Sequence, residues 1–291
     1  MRKTLMICDS ACDLTIEQEK KYGIKILNCG VEMNGMPYED RVEINTQQIF
    51  AEVEKTGVLP HTSQVTMIQF LEAFVKAARD GYTDIICVTM NAKGSGTHSA
   101  ALQAKSLLPV EYPALEGKLN IRVLDATTYS YVIALPVVLA LDRLKKGENP
   151  DRVADDMQDW YNNSITLLGL YNLQYAKKSG RLNSCAAFVG DMLGLKPIMS
   201  IAGENKTIDK TRGDKNLVPK LAQLYMQMAE DFRGDYIIAY GDDPARGKEL
   251  AAEIKRLGGK APTLMGPAGP VVAINAGPKM LGIGFRRKAD A

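Results

Sequence analysis

The residues with the clearest chemical potential are hydroxyls beside glycines. Gly94-Ser95-Gly96-Thr97-His98-Ser99 follows an apolar, strand-like run and opens a helical one. Glycines let a backbone approach a ligand closely, and the first turn of a helix favours an anion. Three readings stand at this point: a nucleotide, another anion such as a carboxylate, or a plain turn. The spacing nearly matches a dinucleotide fingerprint, but Ser99 replaces its last glycine. The next acidic candidate, Asp125, lies beyond the usual ~20 residues. Pro60-His61-Thr62-Ser63-Gln64 forms a second polar cluster, just ahead of a helix at Thr66. Its adjacent hydroxyls suit either the start of that helix or a bound carboxylate. A third segment carries Gly266, Gly269, Gly277, Gly282 and Gly284 with three prolines. It reads as a final Gly-rich hairpin or as backbone folded around a ligand.

Other chemistries find little support. No Gly-x-Ser-x-Gly elbow and no Gly-x4-Gly-Lys-Ser/Thr loop occurs. His61 and His98 are the only candidate bases, and His98 sits three residues after Ser95, inside a helix. Cys8 and Cys12 have no second pair or nearby histidine to complete a zinc site, so no metal is expected. Five scattered cysteines argue against a disulfide framework. Thirty-six basic against 34 acidic residues leave no field for nucleic acid. No apolar run reaches the ~20 residues of a membrane span. The start, Met1-Arg2-Lys3, is followed by too short an apolar run for a signal peptide, so a cytoplasmic location is expected.

The elements that must position these residues alternate. Strands are predicted at Thr4–Cys8, Lys25–Val31, Asp84–Met90 and Ile121–Leu124. Between and after them, helices are predicted at Thr46–Lys55, Thr66–Arg79, Thr97–Leu108 and Ser130–Lys146. Ser10 or Asp13 is a candidate cap for a helix after the first strand, and Thr46 for the next. This alternation means βαβ units on a mostly parallel, Rossmann-like sheet, where ligands bind outside the carboxyl ends of strands. A boundary is expected between Asn149-Pro150 and Asn162-Asn163, dividing an N-terminal α/β domain, 1–160, from a C-terminal α+β domain, 161–291. The second domain is predicted to have strands at Thr166–Tyr171, Ile198–Ala202, Lys206–Asp209, Tyr236–Tyr240, Pro262–Met265, Val271–Asn275 and Gly282–Phe285. Its helices are expected near Cys185–Leu193, Leu217–Phe232 and Pro244–Leu257. Lys177–Arg181 reads as a solvated basic loop, and Lys206–Lys215 as a solvated face or a docking patch.

Six segments in order resemble the DegV family of bacterial lipid-binding proteins. Asp9-Ser10-Ala11-Cys12-Asp13-Leu14 is similar to its Asp-Ser-x-x-Asp-Leu opening. Thr62-Ser63-Gln64 and Ser95-Gly96-Thr97 with Ser99-Ala100 resemble its two hydroxyl segments. Leu173 through Arg181, Lys196-Pro197-Ile198 and Gly269-Pro270-Val271 complete the series. The resemblance implies two domains with a long-chain fatty acid in an apolar tunnel between them. The protein would then be a carrier with no catalytic residue and no cofactor. It would present the acid to a separate ATP-dependent fatty acid kinase for phospholipid synthesis. On the same basis, Thr62 and Ser95, with Ser63, Asn91 and Asn275, are expected at the carboxylate. Gly94, Gly96, Thr97 and Gly277 supply pocket backbone, and Arg212 the partner contact.

The chain departs from the family pattern at two places. Asn91 and Ala92 stand where members carry serines, and Asn275 stands where members carry a histidine. Asparagine donates a hydrogen bond but does not carry a proton near neutral pH. The alternative reading is a nucleotide- or phosphometabolite-dependent enzyme using the Gly94–Thr97 loop.

Overall fold

The computed structural model describes residues 2–180 and 194–289. The first half builds a parallel sheet from β1 (Thr4–Asp9), β2 (Lys25–Leu27), β6 (Asp84–Thr89) and β7 (Asn120–Asp125), in the order β2-β1-β6-β7. β6 is buried at every residue, as a strand covered on both faces must be. Helices α3 (Met67–Arg79), α4 (Thr97–Glu111), α5 (Tyr131–Lys145) and α6 (Pro150–Asn162) surround this sheet. The stretch expected to be a boundary is therefore a helix: α6 packs on β6 and β7. Asn149 caps it, and Pro150 presets its first turn.

A small sheet of order β4-β3-β5 stands beside the first. It comprises β3 (Gly30–Met33), β4 (Met36–Glu39) and β5 (His61–Ser63). The single strand predicted over Lys25–Val31 is thus two: β2 joins the parallel sheet, and β3 turns into the hairpin with β4. Asp9 caps a 3-10 turn at Ser10–Cys12, whereas α1 (Ile16–Tyr22) starts from a Thr15 capping box. Asn45, rather than Thr46, caps α2 (Thr46–Thr56). In both cases the residue one position before the helix has the extended backbone a cap requires.

The second half forms a six-stranded mixed sheet, β10-β9-β8-β13-β11-β12. Its strands are β8 (Ser164–Leu170), β9 (Leu195–Ala202), β10 (Glu204–Arg212), β11 (Tyr236–Tyr240), β12 (Leu264–Pro267) and β13 (Met280–Arg286). Helices α8 (Leu217–Met228) and α9 (Pro244–Arg256) pack on one face through Leu167, Ile238, Leu281, Ile283 and Phe285. The opposite face joins the core of the first half through Leu168, Met199, Ile201, Ile237, Ala239 and Met280. Strand alternation divides these two sets. Helix α5 lies between the sheets: its Tyr131 and Val132 side chains occupy the space beside Gly266 and Gly284.

Three further predicted features differ. Lys177 and Lys178 lie in a short helix, α7 (Gln174–Ser179), while Arg181 is outside the described residues. The strand predicted at Val271–Asn275 is helix α10 (Pro270–Ala276), begun by Gly269 and Pro270. A short apolar run fits either element, and proline at the first position settles it toward helix. Because β13 pairs with β8 and β11, the last segment is a strand-helix-strand unit, not a hairpin. The helix expected near Cys185–Leu193 lies outside the described residues.

Candidate functional site

Between the parallel sheet and the mixed sheet is a cavity of about 460 Å³, within the ~300–1,000 Å³ typical of small-molecule sites. Its polar part comes from three elements. β5 supplies Thr62 and Ser63, followed by Gln64. Its register sets Ser63 opposite Gly30 and Thr62 opposite Val31. A side chain at residue 30 would collide with Ser63 Oγ, so Gly30 leaves room for that hydroxyl.

The loop after β6 supplies Gly94, Ser95 and Gly96. Asp9 fixes its start, Oδ2 accepting from Met90 N at 2.6 Å while Oδ1 accepts from Ala11 N at 3.0 Å. Asp125 Oδ1 accepts from Ala92 N at 3.1 Å. Ser95 Oγ lies 3.0 Å from Thr97 Oγ1 and accepts from Thr97 N at 3.3 Å. A Cβ on Gly94 would fall on the Tyr129 hydroxyl, and one on Gly96 on Gln64 Oε1. The space beside these glycines is taken by two side chains. His98 Nδ1 pairs with Thr89 Oγ1 at 2.8 Å, which gives it a positioning partner inside the fold.

The third element is α10. Asn275 Nδ2 donates to Val271 O at 2.8 Å, one helical turn back. That bond fixes the amide orientation, and Asn275 Oδ1 is buried without a partner among the described residues.

The rest of the wall is mostly apolar. The cavity-facing rows of the mixed sheet give Leu168, Ile201, Ile237, Ala239, Met280 and Gly282, and α10 gives Val271, Val272 and Ala276. Two further hydroxyls, Thr128 and Thr166, pair with each other at 2.8 Å. Ser130 also lines the cavity, but its hydroxyl donates to Asp13 Oδ2 at 2.6 Å. Among the described residues, no Lys, Arg, Asp, Glu or His lines the cavity. An ionised group inside it must be met by hydrogen-bond donors or take up a proton.

Of the expected site residues, Thr62, Ser63, Ser95, Asn275, Gly94 and Gly96 come together here. Asn91 is placed differently. Its Nδ2 donates to Gly203 O at 3.0 Å and its Oδ1 accepts from Lys93 N at 3.1 Å. Both ends of the amide are engaged: Nδ2 ties the β6 loop to the β9–β10 turn, and Oδ1 braces the loop itself. Thr97 is fully buried in the first turn of α4, behind Ser95. Gly277, with φ of 85°, ends α10 against the Tyr175 ring, a position where a side chain would collide. Arg212 is exposed at the end of the edge strand β10. Sequence reasoning missed Tyr129, Thr166 and Asn205 on the wall. Period-two alternation along β8 was the available signal for Thr166.

A family model described as "uncharacterised protein, DegV family" matches residues 3–288. The chain belongs to the DegV family. A DegV domain-containing protein of Clostridium perfringens is 26% identical over 286 residues, covering 98% of this chain and 99% of the relative. A stearic-acid-binding protein of Eubacterium ventriosum superposes with a TM-score of 0.86 at 24% identity, covering 100% of this chain and 99% of the other. The Fatty Acid Kinase (Fak) B3 protein of Streptococcus pneumoniae, loaded with linoleic acid, gives 0.84 at 19% identity, covering 98% of this chain and 100% of the other. DegV membership and the mixed α/β fold thus agree with the resemblance read from the motifs. Among the described residues, no helix is long and apolar enough to cross a membrane.

Proposed function

We propose that this DegV protein is a carrier that binds a long-chain fatty acid in the inter-sheet cavity. The observation that carries the reading is the cavity's mixed wall. Neutral hydroxyl and amide groups of β5, the β6 loop and α10 line the cavity together with a mostly apolar sheet face. Each buried methylene contributes about 0.8 kcal/mol before ordering costs. A carboxyl group buried among neutral groups needs hydrogen bonds, and Thr62, Ser63, Ser95 and Asn275 are the groups for it. Gly94 and Gly96 leave room for the Tyr129 hydroxyl and the Gln64 amide on the same wall. The stearic- and linoleic-acid complexes of similarly folded proteins support this ligand class.

In this reading the chain does no chemistry and needs no cofactor. It presents the carboxyl group to a separate ATP-dependent fatty acid kinase that engages Arg212. The likeness to the Fak B3 protein supports that partnership. With Asn275 at the site, hand-over proceeds without a proton carried on that residue. Thr62→Val combined with Ser95→Ala tests the binding assignment. Palmitic acid affinity, measured by calorimetry on lipid-free protein, should fall at least about tenfold, as expected when a buried polar group loses its partners. Unchanged affinity in a folded double variant would remove these hydroxyls from the site.

A further inference from the structure

The cavity-facing row of β13 holds Met280, Gly282 and Gly284, and its two glycines have different surroundings. A Cβ on Gly284 would fall on Val132 Cγ2 of α5, so close packing requires that glycine. A Cβ on Gly282 would meet nothing nearer than Ala239 O at 3.7 Å, with Met280 Cε and Thr166 Cγ2 at 3.8 Å. Those are ordinary contact distances. Gly282 is also absent from the glycines of positive φ. Neither backbone conformation nor packing within the protein calls for glycine there. Glycine inside a strand costs stability, and an unexplained one often marks close approach by a ligand. What the missing side chain leaves at Gly282 is cavity.

Its neighbours extend the same feature. Register places Gly282 beside Ala239 on β11 and beside Leu168 on β8. Two of the smallest residues of the sheet face therefore sit side by side, with Leu168, Ile237 and Met280 around them. We propose that the Ala239–Gly282 trough receives the acyl chain and that Gly282 sets the chain length the cavity accepts. The proposal rests on the fatty-acid reading above. A side chain at residue 282 would grow into the volume that the distal methylenes occupy, leaving room for a shorter acid.

The test uses lipid-free full-length wild type, Gly282→Leu and Gly282→Ala, titrated with lauric, palmitic and stearic acids. Circular dichroism melts report folding. For Gly282→Leu, stearic acid affinity should fall at least about tenfold, because methylene-scale mismatch in an apolar pocket has that effect. Lauric acid should keep its affinity, reversing the wild-type ranking. Gly282→Ala should lose less stearic acid affinity. It should also raise the melting temperature of the lipid-free protein, since alanine relieves the cost of glycine in a strand. A folded Gly282→Leu variant with the wild-type ranking of acids would overturn the proposal. Should Gly282→Leu not fold, unchanged stearic acid affinity in Gly282→Ala would overturn it. Wild type that binds none of the acids would overturn the carrier reading and this proposal together. Wild type that binds, with variants of identical ranking, would overturn this proposal alone.

Discussion

Asp9, Asp13 and Asp40 are buried carboxylic acids near the site, and burial pushes their pKa values up to about 7, 8 and 6. Asp13 has the largest consequence. In the unfolded chain it releases its proton near the usual aspartate value of ~3.9. Folded, it holds the proton to about 8. The folded state therefore binds more protons between those limits, and stability falls as pH rises through them. One such group contributes a slope of at most about 1.4 kcal/mol per pH unit. Asp13→Asn should remove this contribution. Asparagine keeps an acceptor for Ser130 and tolerates the φ of 59° at this position. Urea unfolding at pH 5 and pH 8.5 checks it: the variant should gain on wild type at the higher pH, and a constant difference would refute the assignment. A residual slope should remain from Asp9 and Asp40.

At the scale of elements, Gly203 is the clasp of the β9–β10 turn. Its N–H donates to Thr127 O at 2.8 Å, and its carbonyl accepts from Asn91. Asn91→Ala should cost about 1–2 kcal/mol, since it leaves that carbonyl without its partner. Chemical denaturation should show the loss, and palmitic acid affinity should change little because Asn91 is off the cavity wall. A large affinity loss at unchanged stability would instead return Asn91 to the binding site. The parallel strands and long helices were legible from apolar runs and periodicity. The α10 helix was not, because Val271–Asn275 is too short for its period to separate helix from strand. Thr62 and Ser95 stood out locally as hydroxyls suited to an anion, but only motif order grouped them with Asn275, since no local pattern says that three distant segments meet. The sheet-derived wall was hidden for a related reason: residues such as Ala239 and Gly282 become a surface only after register is set.

At the scale of the whole molecule, the two sheets share one hydrophobic core through α5. We place the division between halves at Asn163, where α6 ends and β8 begins. The inter-sheet cavity depends on both halves, so neither alone should retain fatty acid. Arg212 lies on the outer edge strand, away from the cavity wall. Arg212→Ala should bind palmitic acid like wild type, yet slow acyl phosphate formation in an assay with a bacterial fatty acid kinase. Equal rates would remove Arg212 from the docking surface.

What fills the cavity decides the carrier reading. Native mass spectrometry of the recombinant protein, before and after denaturing extraction, tests it most directly. The carrier account predicts added mass matching a long-chain fatty acid, lost on denaturation and restored by adding palmitic or stearic acid. A protein that stays at its bare mass and takes up neither acid would contradict it.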